Sequence, residues 1–359
     1  MVQNYFMDLK DIAGNFILLD NIKSIEPYGN GHINSTYKVS LVNSENQYIL
    51  QKINTQVFKH PEQIIQNHFK LQQFLEPDSQ GMKIPHLIHT KQDEFLFTDN
   101  ESNAWRLMNF FKDSYSIEVV ENEYQASEAG RGFGWFLNQF AKIDSSVFFE
   151  AIKDFHSLSF RINQFNDAIE KNRAGRLIEI KDIVDFYKGQ VNELIEIEKL
   201  IKSGEIPERV VHNDTKINNL LFKDEKAIAV IDLDTAGKGT VLYDFGDAIR
   251  TISNTAAEDE KDLNKVDFNI KLFEAFARGY LNQTKQLLTE KELGLLYIAP
   301  KYMTFIMGIR FLADYLNGDV YYKIAYEKHN LARSLVQKKL IEQMQKSKDK
   351  MRVILTDNL

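Results

Sequence analysis

The chain has no cysteine, so neither a disulfide framework nor a thiolate metal site is open to it. Proline is scarce, with six in 359 residues, and glycine numbers 17, which excludes collagen-like and proline-rich low-complexity sequence. Positive charge is not in excess. Lys and Arg number 44 against 51 Asp and Glu, for a net −7. That balance argues against nucleic acid as a main partner, while a local basic patch stays compatible with a phosphate ligand. Long hydrophobic runs are missing too. The most apolar stretch, residues 293–316, is interrupted by Pro300, Lys301, Arg310 and Asp314, so it reads as a buried helix or helix pair rather than a membrane span. Residues 1–10 lack a basic segment followed by an apolar one, so a cytoplasmic protein without a signal peptide is expected. What is present, 43% hydrophobic and 26% charged residues, is ordinary globular chemistry for two domains or one two-lobed unit.

The first 110 residues read as strands around one helix. β-prone runs at 22–28 and 35–42 are joined by Gly29-Asn30-Gly31, and a third at 47–53 follows the polar turn Asn43-Ser44-Glu45-Asn46. Pro61 opens a helix in which Ile64, Ile65, His68, Phe69, Leu71, Phe74 and Leu75 recur at helical spacing. Strands are expected again at 95–98 and 104–110. From Glu123 the pattern is helical, at 124–143, 180–202, 272–287, 290–315 and 323–350. The exception is a hairpin, where 219–222 and 227–232 flank Lys223-Asp224-Glu225-Lys226. An α+β architecture follows, with a small sheet-based N-lobe at 1–108 and a helical C-lobe at 109–359.

The chemistry concentrates in His212-Asn213-Asp214-Thr215-Lys216-Ile217-Asn218-Asn219, directly before the hairpin. Asp214 and Asn219 share a loop, and Asp232 ends the second hairpin strand, so all three can converge at one end of the hairpin. Such oxygen ligands suit Mg²⁺, which takes one or two carboxylates and completes its shell with phosphate and water. A carboxylate not spent on the metal can orient an attacking hydroxyl and accept its proton. Lys216 can reach a transferring phosphoryl group.

The spacing resembles the protein-kinase catalytic loop, but Asn213 stands where that loop carries an Arg. With Tyr28-Gly-Asn-Gly-His-Ile-Asn-Ser-Thr-Tyr37, Gln51-Lys-Ile-Asn54, Ile231-Asp-Leu-Asp-Thr-Ala236 and Asp244-Phe-Gly-Asp-Ala-Ile-Arg250, the chain is similar to the aminoglycoside phosphotransferase and choline kinase superfamily. Within it, the resemblance is to the N-acetylhexosamine 1-kinases. It implies a protein-kinase-like two-lobed fold, with ATP and Mg²⁺ as cofactors and a small sugar as acceptor. It also implies roles. Asp214 and Lys216 would be catalytic, and Asn219 and Asp232 would hold Mg²⁺. Gly29, Gly31, Asn34 and Thr36 would belong to the nucleotide loop, and Lys52 would hold the phosphates. Met108, Asn109 and Phe110 would meet adenine, while His32 and Arg310 would meet the acceptor. Other acceptors in view are choline, homoserine and aminoglycosides, and a different class is a non-catalytic nucleotide-binding protein. One departure concerns Lys52. Where a kinase helix carries the lysine's glutamate this chain has Asn67, and Glu62 is the only acidic candidate on the helix's first turn.

Several features carry plainer readings. Asp244 opens a helix and reads as a cap or loop support. Gly130 and Gly134, with Ala126, form a small-residue stripe for close helix packing. His86 and His89 lack a third ligand, and His212 reads as a scaffold for its loop. Arg310 and Asp314, one turn apart, are expected as an ion pair unless Arg310 faces the acceptor.

Overall fold

The computed structural model describes residues 8–17, 21–29, 33–76 and 81–358. The N-terminal part is one antiparallel sheet of β1 (Ile22–Pro27), β2 (Ser35–Leu41), β3 (Gln47–Ile53), β4 (Leu87–Ile88), β5 (Phe97–Thr98) and β6 (Ala104–Asn109). The strand order is β1-β2-β3-β6-β4, with β5 also paired to β6. Successive side chains of a strand point to opposite faces, so the sheet has two distinct surfaces. On one, Val39, Leu50, Trp105 and Leu107 pack with Ile12, Ala13 and Phe16 in and after the short helix α1 (Leu9–Ala13). On the other, Ile53, Ala104 and Met108 pack on Ile64 and Ile65 of α2 (Pro61–Phe74).

The rest is mainly helical: α3 (Glu123–Phe140), α4 (Leu158–Lys171), α5 (Lys181–Lys202), α6 (Val241–Ile252), α7 (Ile270–Thr284), α8 (Glu290–Leu295), α9 (Ala299–Asn317), α10 (His329–Lys346) and α11 (Lys348–Asp357). Two small ribbons interrupt it. β7 (Arg209–Val211) pairs with β10 (Gly237–Gly239), and β8 (Leu220–Lys223) pairs with β9 (Lys226–Val230). Asp224 and Glu225, between β8 and β9, both have positive φ (48° and 63°), the backbone a two-residue hairpin turn needs. The glycine stripe of α3 does what its spacing suggests. A Cβ at Gly130 would lie 2.1 Å from the Phe276 carbonyl oxygen of α7, and one at Gly279 would lie 2.1 Å from that of Ser127. The two helix backbones therefore pack in direct contact.

The structure corrects several expectations. The single helix expected at 290–315 is two, because Pro300 lies in the first turn of α9, where its missing N–H costs nothing. The helix expected at 323–350 is α10 and α11, with a loop before them. Helix α4 and strand β4 were not anticipated. Arg310 and Asp314 form no ion pair. Asp314 instead accepts the backbone N–H groups of Val320, Tyr321 and Tyr322 at 2.9, 2.9 and 3.0 Å, and the Asn330 amide at 2.9 Å. It clamps the loop after α9. Among the described residues, no helix is long and apolar enough to cross a membrane.

Candidate active site

The loop between β7 and β8 is held from behind by buried groups. Asp244, in the first turn of α6, accepts the backbone N–H of His212 at 2.8 Å and of Asn213 at 2.7 Å. Burial pushes its carboxyl up to about 6, against the pull of His212 and of these two donors. His212 donates from Nε2 to the Ile231 carbonyl (2.9 Å) and accepts the Asp214 N–H at Nδ1 (3.3 Å), which ties the loop to the end of β9. Asn213 adopts a left-handed backbone (φ 65°), and its amide bonds the carbonyls of Thr235 and Lys238. Asp244 and His212 are thus loop supports.

On this frame Asp214 is half-buried, with Lys216 Nζ 3.2 Å from Oδ1. The Asn219 amide donates to the Asp214 carbonyl (2.8 Å) and to Oδ2 (3.3 Å), and its own Oδ1, without a partner among the described residues, is available to a cation. Burial acts to raise the Asp214 carboxyl, but Lys216, His212 and Arg250 hold it below its ordinary value. Asp214 in turn raises the ammonium of Lys216. Asp232 follows β9 in a left-handed conformation (φ 60°, ψ 61°), and its side chain makes no hydrogen bond among the described residues. Its surface is open to solvent, yet the protein around it and the negative charges of Asp234 and Asp214 push it up to about 7. An unpaired carboxylate, a free amide oxygen and a second carboxylate form an all-oxygen donor set. That set fits Mg²⁺.

Other candidates are placed differently. Lys52 shares its sheet face with Leu50, and its ammonium lies 5.9 Å from the Trp105 ring centroid. The face that packs on α2 carries its neighbour Gln51. The glutamate partner is absent as well, for Glu62 lies beside His60 (3.2 Å) at the start of α2. The buried cation on the α2 face is Arg106, whose Nη1 lies 2.5 Å from Asp234 Oδ1. Asn67 docks α2 by bonding the Phe149 backbone at both its N–H and its C=O. Gly29 has positive φ (76°), while Asn34 and Thr36 turn their side chains to Asp234 and Gln51. Gly31 and His32 lie outside the described residues. Met108 is core, and the N–H groups of Asn109 and Phe110 are taken by the carbonyls of His86 and Gln47. Any adenine contact to those two residues therefore falls to their carbonyls or side chains.

Arg310 is half-buried between the rings of Phe155 (5.6 Å) and Tyr322 (5.7 Å), with no carboxylate partner among the described residues. Arg161 is likewise without a carboxylate, donating to the Phe155 carbonyl and Gln164. Burial and the charge of Arg310 lower it to about 10. The Tyr322 hydroxyl is buried without a partner among the described residues. His156 bonds the Asn213 carbonyl at 2.8 Å and packs on Phe155 (ring centroids 4.3 Å apart), which places this corner beside the catalytic loop. Sequence reasoning missed Arg106, Asp234, Asp247 and Arg250. The last two form a buried pair (2.8 Å) that also reaches Glu258. The only signal lay in the motifs themselves, where Asp234, Asp247 and Arg250 occur without an evident task.

The sequence matches the phosphotransferase enzyme family (APH) over residues 24–291. The chain belongs to that family. Among solved structures it is similar to a microcompartment-associated aminopropanol kinase (17% identity, TM-score 0.63, covering 96% of this chain and 98% of that one). It is also similar to an aminoglycoside phosphotransferase from Alicyclobacillus acidocaldarius (11%, TM-score 0.66, 98% of each chain). A choline kinase from Cryptosporidium parvum is a third (15%, TM-score 0.55, 97% and 100%). The two-lobed, protein-kinase-like fold expected from the sequence is the fold of these neighbours.

Proposed function

We propose that the chain is an ATP- and Mg²⁺-dependent kinase that phosphorylates the anomeric hydroxyl of N-acetylglucosamine or N-acetylgalactosamine. The observation that carries the kinase reading is the meeting of Asp214, Lys216, Asn219 and Asp232 at one end of the β8–β9 hairpin, where the Ile231 N–H bonds the Asn219 carbonyl at 2.9 Å. In this reading residues 1–108 bind the nucleotide, and residues 109–359 supply the catalytic loop and the acceptor pocket. Asp232 and Asn219 would hold Mg²⁺, which supplies charge neutralisation on the phosphates when bound. Asp214, held ionised by its neighbours, orients the acceptor hydroxyl and takes its proton late, as the phosphoryl group is transferred. Lys216 offsets negative charge on the phosphoryl group in flight. The supports behind the loop hold these groups in place, so positioning does most of the catalytic work.

The acceptor corner favours a neutral, oxygen-rich molecule. Cationic acceptors such as choline or an aminoglycoside call for carboxylates or an aromatic cage. Here the two guanidinium groups of Arg310 and Arg161 have no carboxylate partner among the described residues, and Asp247 and Glu258 are engaged with Arg250. Arg310 suits sugar hydroxyls or an acetamido carbonyl. The cysteine-free composition fits a cytoplasmic setting. An ADP-release assay across N-acetylhexosamines, hexoses, choline, homoserine and kanamycin tests the reading. Turnover of the N-acetylhexosamines is expected, and turnover confined to a non-sugar would reverse the acceptor assignment.

A further inference from the structure

β3 carries two polar residues in succession, and the pleat sends them to opposite faces. Lys52 goes to the α1 side, while Gln51 goes to the α2 side, opposite Arg106 in the β3–β6 register. There a continuous chain of hydrogen bonds begins. Gln51 Nε2 donates to Thr36 Oγ1 (2.9 Å), and Gln51 Oε1 accepts from Arg106 Nε and Nη2 (2.9 and 2.7 Å). Arg106 Nη1 reaches Asp234 Oδ1 at 2.5 Å, and Asp234 Oδ2 accepts from the Asn34 amide at 2.7 Å. Asn34 Oδ1 then accepts the backbone N–H of Asn54 (2.9 Å), just past β3. Three pieces of the N-terminal sheet are thereby fastened to the turn at 233–235, the turn that begins with Asp232.

We propose that the Arg106–Asp234 pair, braced by Gln51 and Asn34, is a positioning element that sets the Asp232 turn to receive a metal–nucleotide complex. The proposal rests on the kinase reading above. Asp232 holds a left-handed backbone (φ 60°, ψ 61°), which residues other than glycine adopt mostly as isolated, locally supported positions, so the bonds that fasten its turn bear on where its carboxylate points. The carboxylate two residues on is the turn's only link to the sheet among these bonds, and both of its oxygens are engaged. A direct phosphate-binding role for Arg106 is excluded by its burial. The side chain is 2% exposed, and its Nε, Nη1 and Nη2 are all engaged. Stability alone does not account for the pair either. Buried ion pairs replaced by apolar residues of similar size are often neutral or stabilising. Where Lys52 and Glu62 make no sheet-to-helix pair, Arg106 and Asp234 make a tie between the two parts of the chain, with the carboxylate on the metal turn rather than on α2.

The test is calorimetric titration of the whole chain with a non-hydrolysable ATP analogue, once with Mg²⁺ and once with EDTA, alongside thermal melts. The variants are Arg106→Lys, Asp234→Asn and the apolar double variant Arg106→Met with Asp234→Leu. Residues that orient metal ligands typically change metal affinity by about 10–100-fold, so each variant should lose at least roughly tenfold in affinity with Mg²⁺. Affinity in EDTA should stay within about threefold, so the ratio collapses, which general loosening of the fold would not produce. The double variant separates fold from positioning, because it should melt near the wild type and still lose the Mg²⁺ effect. Folded variants with the wild-type ratio would overturn the proposal. Unfolding of all three would make the pair a fold element and overturn it as well. A wild type that binds no Mg-nucleotide would instead sink the kinase reading itself.

Discussion

Asp232 has a carboxylate that no side chain among the described residues neutralises by direct contact, and this predicts a contest between proton and metal near neutral pH. Enclosure by the protein, then the charges of Asp234 and Asp214, push it up to about 7. A metal ion takes the deprotonated form, so affinity for the Mg-nucleotide complex follows the ionised fraction. That fraction is about one-tenth at pH 6 and about nine-tenths at pH 8, so the Kd should fall roughly tenfold across the interval. Binding at pH 7 should release about half a proton. The sign for the unliganded fold is the reverse. With the folded value above the ordinary 3.8, the Asp232 contribution to stability is lost as pH rises from about 4 to about 7, and Mg-nucleotide should restore it. Calorimetry in two buffers of different ionisation heat reads the proton release directly. Asp232→Asn should abolish both the release and the pH dependence. A wild-type Kd that is flat from pH 6 to 8, or an equal slope in Asp232→Asn, would refute the reasoning.

Asp214→Asn should lower kcat by on the order of 10²–10⁴ while leaving nucleotide affinity within a few-fold, as steady-state kinetics and titration together would show. Near-normal turnover would remove Asp214 from the mechanism. Lys52→Met should leave Mg-nucleotide affinity within about twofold, because loss of one cation–π contact at 5.9 Å is a small effect. A tenfold loss by the same titration would return Lys52 to the phosphates. Gly130→Ala should destabilise the chain by about 1–3 kcal/mol in urea unfolding, because its Cβ would meet backbone of α7 rather than a movable side chain. An unchanged midpoint would contradict the packing described.

The catalytic loop and its hairpin were legible because their determinants are local. Asp214, Asn219 and Asp232 lie within nineteen residues, and the turn at Asp224-Glu225 is marked by its own charged, turn-prone residues. The β3 strand was legible as well, with bounds 47–53 as expected. What the sequence hides is parity and distance. Gln51 and Lys52 are adjacent in the chain, and only the packing of Leu50 against the α1 side shows which of them faces α2. Arg106 and Asp234 are 128 residues apart, and nothing in either segment announces the other. Arg310 and Asp314 show the opposite error. Their spacing suits a helix pair, but the loop after α9 offers Asp314 three N–H donors, which outcompete an arginine one turn away. Helix α4 was missed because Ser157, its cap, follows a loop without a helical pattern to announce it.

The central claim is that the Asp214 loop activates the anomeric hydroxyl of an N-acetylhexosamine. Capping that hydroxyl as a methyl glycoside removes the nucleophile and leaves the rest of the sugar unchanged. The most direct test is phosphorus NMR of the products formed from ATP, Mg²⁺ and either N-acetylglucosamine or its methyl glycoside. The free sugar should give a phosphate whose coupling places it on C1, and the methyl glycoside should give no phosphorylated sugar. A phosphate on C6, or turnover of the methyl glycoside, would contradict the anomeric assignment and leave the phosphotransferase fold standing.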